Sequence, residues 1–152
     1  MSLLPDSKSL RRGRYSESQR VYLITSVTDG RQPYFAPLLP ARTLVQQLME
    51  CEQAGYAVTL AYVVMPDHFH WLMQLGDRGS LSSVVQRVKS CTTRKLRSAG
   101  HVCEWQQGFH DHAVRREEDL KGLARYIVAN PLRAGLVKNV RDYPHWDCIW
   151  LP

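Results

Sequence analysis

Two histidines one residue apart, His68 and His70, stand inside the apolar run AYVVMPDHFHWLMQL. Side chains of an extended strand alternate between faces, so both imidazoles point to one side and Phe69 and Trp71 to the other. Imidazole is the commonest metal ligand, and two on one face make half of a metal site. Hydrogen-bonded places in a core would suit the same pair, and spacing alone leaves both readings open. Further along, Tyr126 and Asn130 are four residues apart in a segment of helical period, hence one turn apart. The apolar stripe of Leu120, Leu123, Ala124 and Ile127 leaves them together on a flanking face. An amide oxygen from Asn130 can complete a metal shell begun by two histidines, with a phenol one turn earlier beside the metal. Equally, Asn130 can end the helix before Pro131 while Tyr126 packs at an edge.

The elements that must position these residues can be read in chain order. RVYLITSVT, residues 20–28, is rich in β-branched and aromatic residues and reads as a strand closed by Asp29-Gly30. Pro40 at a first helical position, Gly55 past the end and the spacing of Leu44, Val45 and Leu48 predict a helix over 41–54. YAVTLAYVV and HFHWLMQL are two strands broken at Met65-Pro66-Asp67, a tight-turn signal that makes them antiparallel neighbours. Ser80 is an N-cap for a helix ending near Gly100, with Leu81, Val84, Val85, Val88 and Leu96 on one stripe. Its remaining surface is expected to display Arg87, Lys89, Arg94, Lys95 and Arg97, a set that suits phosphate. GFHDHAVR is a fourth strand candidate, and Glu117, Glu118 and Asp119 suit the positive end of a third helix that Pro131 stops. Strand, helix, strand, strand, helix, strand is the split βαβ order of the ferredoxin-like class: α+β, an antiparallel sheet with two helices on one face. The third helix is additional. Residues 132–152 lack a clear period, and Trp146, Ile149 and Trp150 are expected to pack back onto the domain.

Composition bounds the rest. At 152 residues and 44% hydrophobic, the chain holds one core. We read 1–18 as a flexible basic arm carrying Arg11, Arg12 and Arg14, and 19–152 as a single domain. Neither a membrane-length apolar run nor a signal-peptide core is present in the sequence, so a cytoplasmic protein is expected. Cys51, Cys91, Cys103 and Cys148 form no C-x-x-C pair, which points to free thiols in a reducing compartment rather than a zinc ribbon. A net charge of +6 suggests a polyanionic partner.

Together, MPDHFHWL, WQQGFHDHAVR and YIVANPLRAGLV resemble the REP-associated tyrosine transposases, relatives of the single-tyrosine HUH (IS200-like) transposases of small bacterial insertion sequences. In that order and near these spacings the three motifs are specific together, and they cover most of residues 20–150. The resemblance implies a ferredoxin-like nuclease in which His68 and His70 are the HUH histidines. It also implies that Tyr126, on the additional C-terminal helix, is the nucleophile, and that Asn130 is the helix-borne third metal ligand. The stretch GRYSESQRVYLITS matches a region that in the family helps read a tetranucleotide beside a DNA hairpin. Nucleoid association, single-stranded REP-like hairpins as partners, and a monomer or homodimer are the further expectations.

The implied chemistry suits these residue types. A divalent cation would offset charge on the scissile phosphate, and Tyr126 would attack phosphorus to leave a 5′-phosphotyrosine and a free 3′-hydroxyl. Tyrosine ordinarily ionises near a pKa of about 10, so the phenol needs help from a metal or a base. The family points to Mg2+ or Mn2+, and imidazole ligands make manganese plausible. A second same-face pair, His110 and His112, ranks lower because Asp111 replaces the hydrophobic spacer; His112 falls in a D-H-x-x-R motif. A histidine-triad hydrolase would need a third alternating histidine where Leu72 stands. Two alternatives stay open: a non-catalytic hairpin-binding protein, and a metal-dependent phosphodiesterase of another class.

Overall fold

A computed structural model describes residues 16–150. Five strands, β1 (Val21–Val27), β2 (Ala57–Met65), β3 (His68–Leu75), β4 (His110–Ala113) and β5 (Trp146–Cys148), form one antiparallel sheet in the order β4-β1-β3-β2-β5. The first four strands keep the ferredoxin-like order. Helices α1 (Leu38–Gln53) and α2 (Leu81–Ser98) pack against each other over one face, called face A. Helix α3 (Leu120–Val128) and the single turn α4 (Asn130–Arg133) lie against β2 on the opposite face, face B.

Alternation along the strands decides which residues belong to which face. Phe69, Trp71, Met73 and Leu75 of β3 are almost fully buried with Tyr22, Ile24, Leu44, Leu48, Val85 and Leu96 in the face A core. Face B is smaller: Ala61, Val63, Met65, Leu72 and Cys148 bury against Ala124, Ile127 and Val128 of α3. His68 and His70 alternate with Phe69 and Trp71 and share their face with Leu72, so they stand on face B beside α3. The strand that carries the histidines and the helix that carries Tyr126 are therefore layered on one side of the sheet.

Several boundaries differ from the sequence reading, each for a local reason. Helix α1 starts at Leu38 behind Pro37, because Pro40 sits within the first turn, where its missing N–H has no helical acceptor to lose. Strand β4 is confined to His110–Ala113. Pro131 does not simply stop α3. The helix ends at Val128, and after Ala129 the proline occupies the first turn of α4, so Asn130 opens a second helix instead of extending the first. The C-terminal segment supplies β5 on the outer edge of β2. Trp146 and Trp150 pack onto the face B core, whereas Ile149 is 62% exposed.

The expected arm over 1–18 lies mostly outside the described residues, with Arg11, Arg12 and Arg14 among them. Its last three residues are docked onto the domain. Ser16 Oγ accepts a hydrogen bond from Leu81 N at 2.9 Å, Glu17 N donates to Tyr22 Oη at 2.8 Å, and Ser18 Oγ bonds Asp77 Oδ1. All four cysteines are free thiols. Among the described residues, no helix is long and apolar enough to cross a membrane.

Candidate active site

The two histidine rings on β3 are edge to face with centroids 4.9 Å apart. Each is held by one nitrogen. His68 Nδ1 bonds Asp67 Oδ1 at 2.7 Å, and Asp67 Oδ2 in turn accepts from Arg31 Nε at 3.1 Å. Burial would raise the Asp67 carboxyl's pKa, but the His68 hydrogen bond and the charges of His68 and Arg31 outweigh it and hold the group below its ordinary value. Opposite His70 on β1, Thr25 places Oγ1 2.8 Å from His70 Nδ1. Burial, followed by the positive charges of His68 and Arg133, pushes His70 down to about 3, so its imidazole is neutral at physiological pH.

Each Nδ1 is engaged by a carboxylate or a hydroxyl, and neither Nε2 has a partner among the described residues. A carboxylate behind a histidine is the usual outer support of a metal-bound imidazole. Two imidazoles with unengaged Nε2 atoms on one face fit a divalent cation. Among the described residues no group of three or more His, Cys, Asp or Glu converges, so a third protein ligand must be of another type. Asn130 has that type. It is half-buried at the start of α4, its side-chain amide bonds no other described residue, and α4 rests on β2 next to the histidine strand.

Tyr126 lies near the end of α3 and is 63% exposed. Arg133 of α4 folds back over it: its guanidinium carbon lies 3.9 Å from the ring centroid, and its Nη1 donates to the Tyr126 carbonyl at 2.7 Å. Tyr126 and Asn130 thus stand on two successive helices joined through Ala129, whose own backbone is helical (φ −81°, ψ −1°).

His110 and His112 also point to face B, since they pair with Thr25 and Leu23 of β1. Their nitrogens are placed differently. His112 Nε2 lies 3.0 Å from both Glu118 carboxylate oxygens, and Glu118 also accepts from Arg115 N at 2.8 Å. His112 of the D-H-x-x-R motif therefore ties β4 to the turn that leads into α3. His110 Nδ1 is buried without a hydrogen-bond partner among the described residues.

The basic helix needs one correction. Lys89 is not on the surface: it is 4% exposed, and its ammonium donates to Gln106 O at 3.2 Å and Gly108 O at 2.8 Å. This anchors the loop before β4. Arg87 stacks 4.6 Å from the Tyr56 ring, and Lys95 reaches Glu50 at 3.8 Å on the surface. Arg94 and Arg97 are exposed and line a groove of about 610 Å³ between α2 and residues 105–108, with Gln86, Trp105 and Gln107. That groove is on the face A side, away from the histidines.

Comparison with known proteins settles the family. The family model described as "Transposase IS200 like" matches residues 18–130, which spans β1 to the start of α4. The chain belongs to the IS200-like transposase family. It is 31% identical over 109 residues to a putative REP-associated tyrosine transposase of Haemophilus influenzae, covering 62% of this chain and 60% of that relative. To a REP-associated tyrosine transposase of Escherichia coli it is 36% identical over 90 residues, covering 55% and 50%. The chain thus aligns with only half to three fifths of these relatives' length. In three dimensions it is similar to a REP-associated tyrosine transposase solved bound to a REP hairpin, with a TM-score of 0.72, 25% identity, and coverage of 88% of this chain and 79% of that one. A putative transposase from Deinococcus radiodurans shares the fold, with a TM-score of 0.54, 19% identity, and coverage of 72% and 88%.

Four residues in contact with the histidine pair or Tyr126 escaped the sequence reading. Asp67 was legible only as a turn residue, although a carboxylate next to a histidine is a signal for outer-shell support. Thr25 reaches His70 by strand register, Arg31 reaches Asp67 across 36 residues, and Arg133 lies seven residues beyond Tyr126 across the Ala129 break.

Proposed function

We propose that this chain is a single-stranded DNA endonuclease and strand transferase that binds REP-type hairpins and cleaves beside them through Tyr126. The observation that carries the reading is the layering of face B. Two imidazoles with open Nε2 atoms share one side of the sheet with the helix pair that bears Tyr126 and Asn130. A protein that only binds hairpins has no use for that arrangement. The solved relative with a REP hairpin supports the substrate class.

In the proposed reaction Tyr126 Oη attacks phosphorus, forming a P–O bond to the protein as the P–O3′ bond breaks. The phenol proton leaves to solvent or a base, and the departing 3′-oxygen takes up a proton to become a free hydroxyl. Because the phosphotyrosine retains the phosphodiester's energy, attack by a 3′-hydroxyl reverses the step and rejoins strands. His68, His70 and Asn130 would hold the divalent cation, Mg2+ or Mn2+, which supplies Lewis-acid polarisation of the scissile phosphate. Asp67 and Thr25 keep the two rings in the tautomer that leaves Nε2 open. Arg94 and Arg97 suit backbone phosphates of the bound DNA, and removing them should lower affinity with little regard to sequence.

The test is incubation of labelled hairpin oligonucleotides, with randomised flanking tetranucleotides, with the chain and Mn2+ or Mg2+, followed by a denaturing gel. A covalent protein–DNA adduct and a free 3′-hydroxyl fragment are expected. Tyr126→Phe should abolish both, and His68→Ala should abolish cleavage while hairpin binding persists. Hairpin binding without adduct in the wild type, or undiminished cleavage by Tyr126→Phe, would overturn the reading in favour of a binding protein or another class of phosphodiesterase.

A further inference from the structure

Arg133 lies directly against Tyr126. It sits in α4, whose Pro131 is buried, so the backbone that carries it is anchored. At the C-terminal end of α3 carbonyls lose their helical partners, and Arg133 Nη1 takes the Tyr126 carbonyl at 2.7 Å. The guanidinium carbon lies over the Tyr126 ring, 3.9 Å from its centroid.

A guanidinium has five N–H donors in a planar fork and cannot lose its charge. Here one donor is occupied by a carbonyl. Arg133 forms no ion pair with a carboxylate among the described residues, and its other donors bond none of them. A permanently charged fork, held against a tyrosine, is complementary to an anion with two acceptor oxygens. The anion that a nucleophilic Tyr126 must meet is the phosphodiester under attack.

We propose that Arg133 is a catalytic phosphate clamp, whose guanidinium binds a non-bridging oxygen of the scissile phosphate between Tyr126 and the histidine pair. The proposal rests on the reading of Tyr126 as the nucleophile. Because the fork is held before DNA arrives, it needs no reorganisation as charge builds on phosphorus oxygens in the transition state. The carbonyl bond and the ring contact couple the position of the clamp to that of the nucleophile.

The competing account is that Arg133 only caps α3, and the test must separate the two. Single-turnover adduct formation is measured at saturating DNA, using a hairpin that the wild-type chain cleaves. The substrate is made with the natural scissile phosphate and with each methylphosphonate diastereomer, which replaces one charged oxygen by methyl. Arg133→Ala should lower the adduct rate about a hundredfold, with hairpin affinity changed much less. Arg133→Lys, which keeps the charge but not the fork, should fall between and also serves if the alanine variant does not fold. In the wild type one diastereomer should carry a large penalty. In the variants that penalty should shrink to within about threefold, because the partner of the missing oxygen is already gone.

A rate loss with an unchanged methylphosphonate penalty would show a cap and overturn the clamp. So would normal rates in both variants. If the wild type forms no adduct with any hairpin, the nucleophile reading falls and the clamp with it, whereas an adduct unaffected by position 133 defeats the clamp alone.

Discussion

The sheet carries two histidine pairs on the same face, on strands flanking β1, and the two are built for different ends. His70 and His110 even lie in one row, each opposite Thr25. On β3 both Nδ1 atoms are held from behind, by Asp67 and Thr25, which aims the Nε2 atoms outward as a pair. On β4 His112 is held at Nε2 by the Glu118 carboxylate, and His110 Nδ1 is enclosed without a partner. Identical spacing therefore has two outcomes. The difference lies in which ring nitrogen the neighbours engage and whether the other stays open, and only the β3 pair leaves two nitrogens suited to the proposed metal.

The sharpest way to break this comparison is at Asp67. Histidine ligands lose metal affinity when the carboxylate behind them is removed, typically by about 10- to 100-fold. Asp67→Ala should weaken Mn2+ binding by that amount in isothermal titration calorimetry of the chain without DNA, whereas His112→Ala should leave it unchanged. Equal affinities in wild type and Asp67→Ala would mean that the β3 pair is no more a ligand pair than the β4 one.

The effect reverses when stability is measured. Glu118 holds His112 and the Arg115 amide together, and the Arg115 amide bond, followed by the His112 bond, lowers its pKa. Glu118→Gln keeps the shape but weakens charge-assisted bonds, so urea unfolding should show a loss of about 1 kcal/mol. Mn2+ affinity should stay at the wild-type value. A fall in metal affinity without a fall in stability would assign the β4 pair to the metal site and invert the comparison.

How far these roles were readable depends on how local their causes are. The His68-Phe69-His70 alternation, the Pro66-Asp67 turn and the order of the first six elements are local patterns, and the sheet reproduces them. Lys89 misled because lysine is rarely buried; its acceptors are carbonyls of residues 106 and 108, 17 and 19 positions away. Strand β5 has three residues, too few for alternation to register. The break at Ala129 follows from Pro131 lacking an N–H, yet proline at the start of a new turn and proline as a terminator look alike in sequence. That ambiguity put Tyr126 and Asn130 on one helix and left Arg133, seven residues beyond Tyr126, without a role.

A fifth histidine environment tests whether enclosure without a partner, the condition of His110, has a measurable consequence. His145 is 6% exposed, its Nδ1 is buried without a partner among the described residues, and its ring lies 5.5 Å from that of Tyr143. Burial, followed by the charge of Arg42, holds its pKa below the ordinary 6.5. Above pH 6.5 the residue is neutral folded or unfolded and contributes no pH dependence. As pH falls below 6.5 the unfolded chain takes up a proton that the native state refuses, so stability drops towards the lower folded pKa. One proton limits the slope to about 1.4 kcal/mol per pH unit. His70 adds a slope of the same sign, so the readout is a difference: urea midpoints from pH 7.5 to 5 should decline less steeply in His145→Phe than in wild type. Parallel declines would show that the native state protonates His145 as readily as the unfolded chain, and that enclosure without a partner carries no proton penalty in this fold.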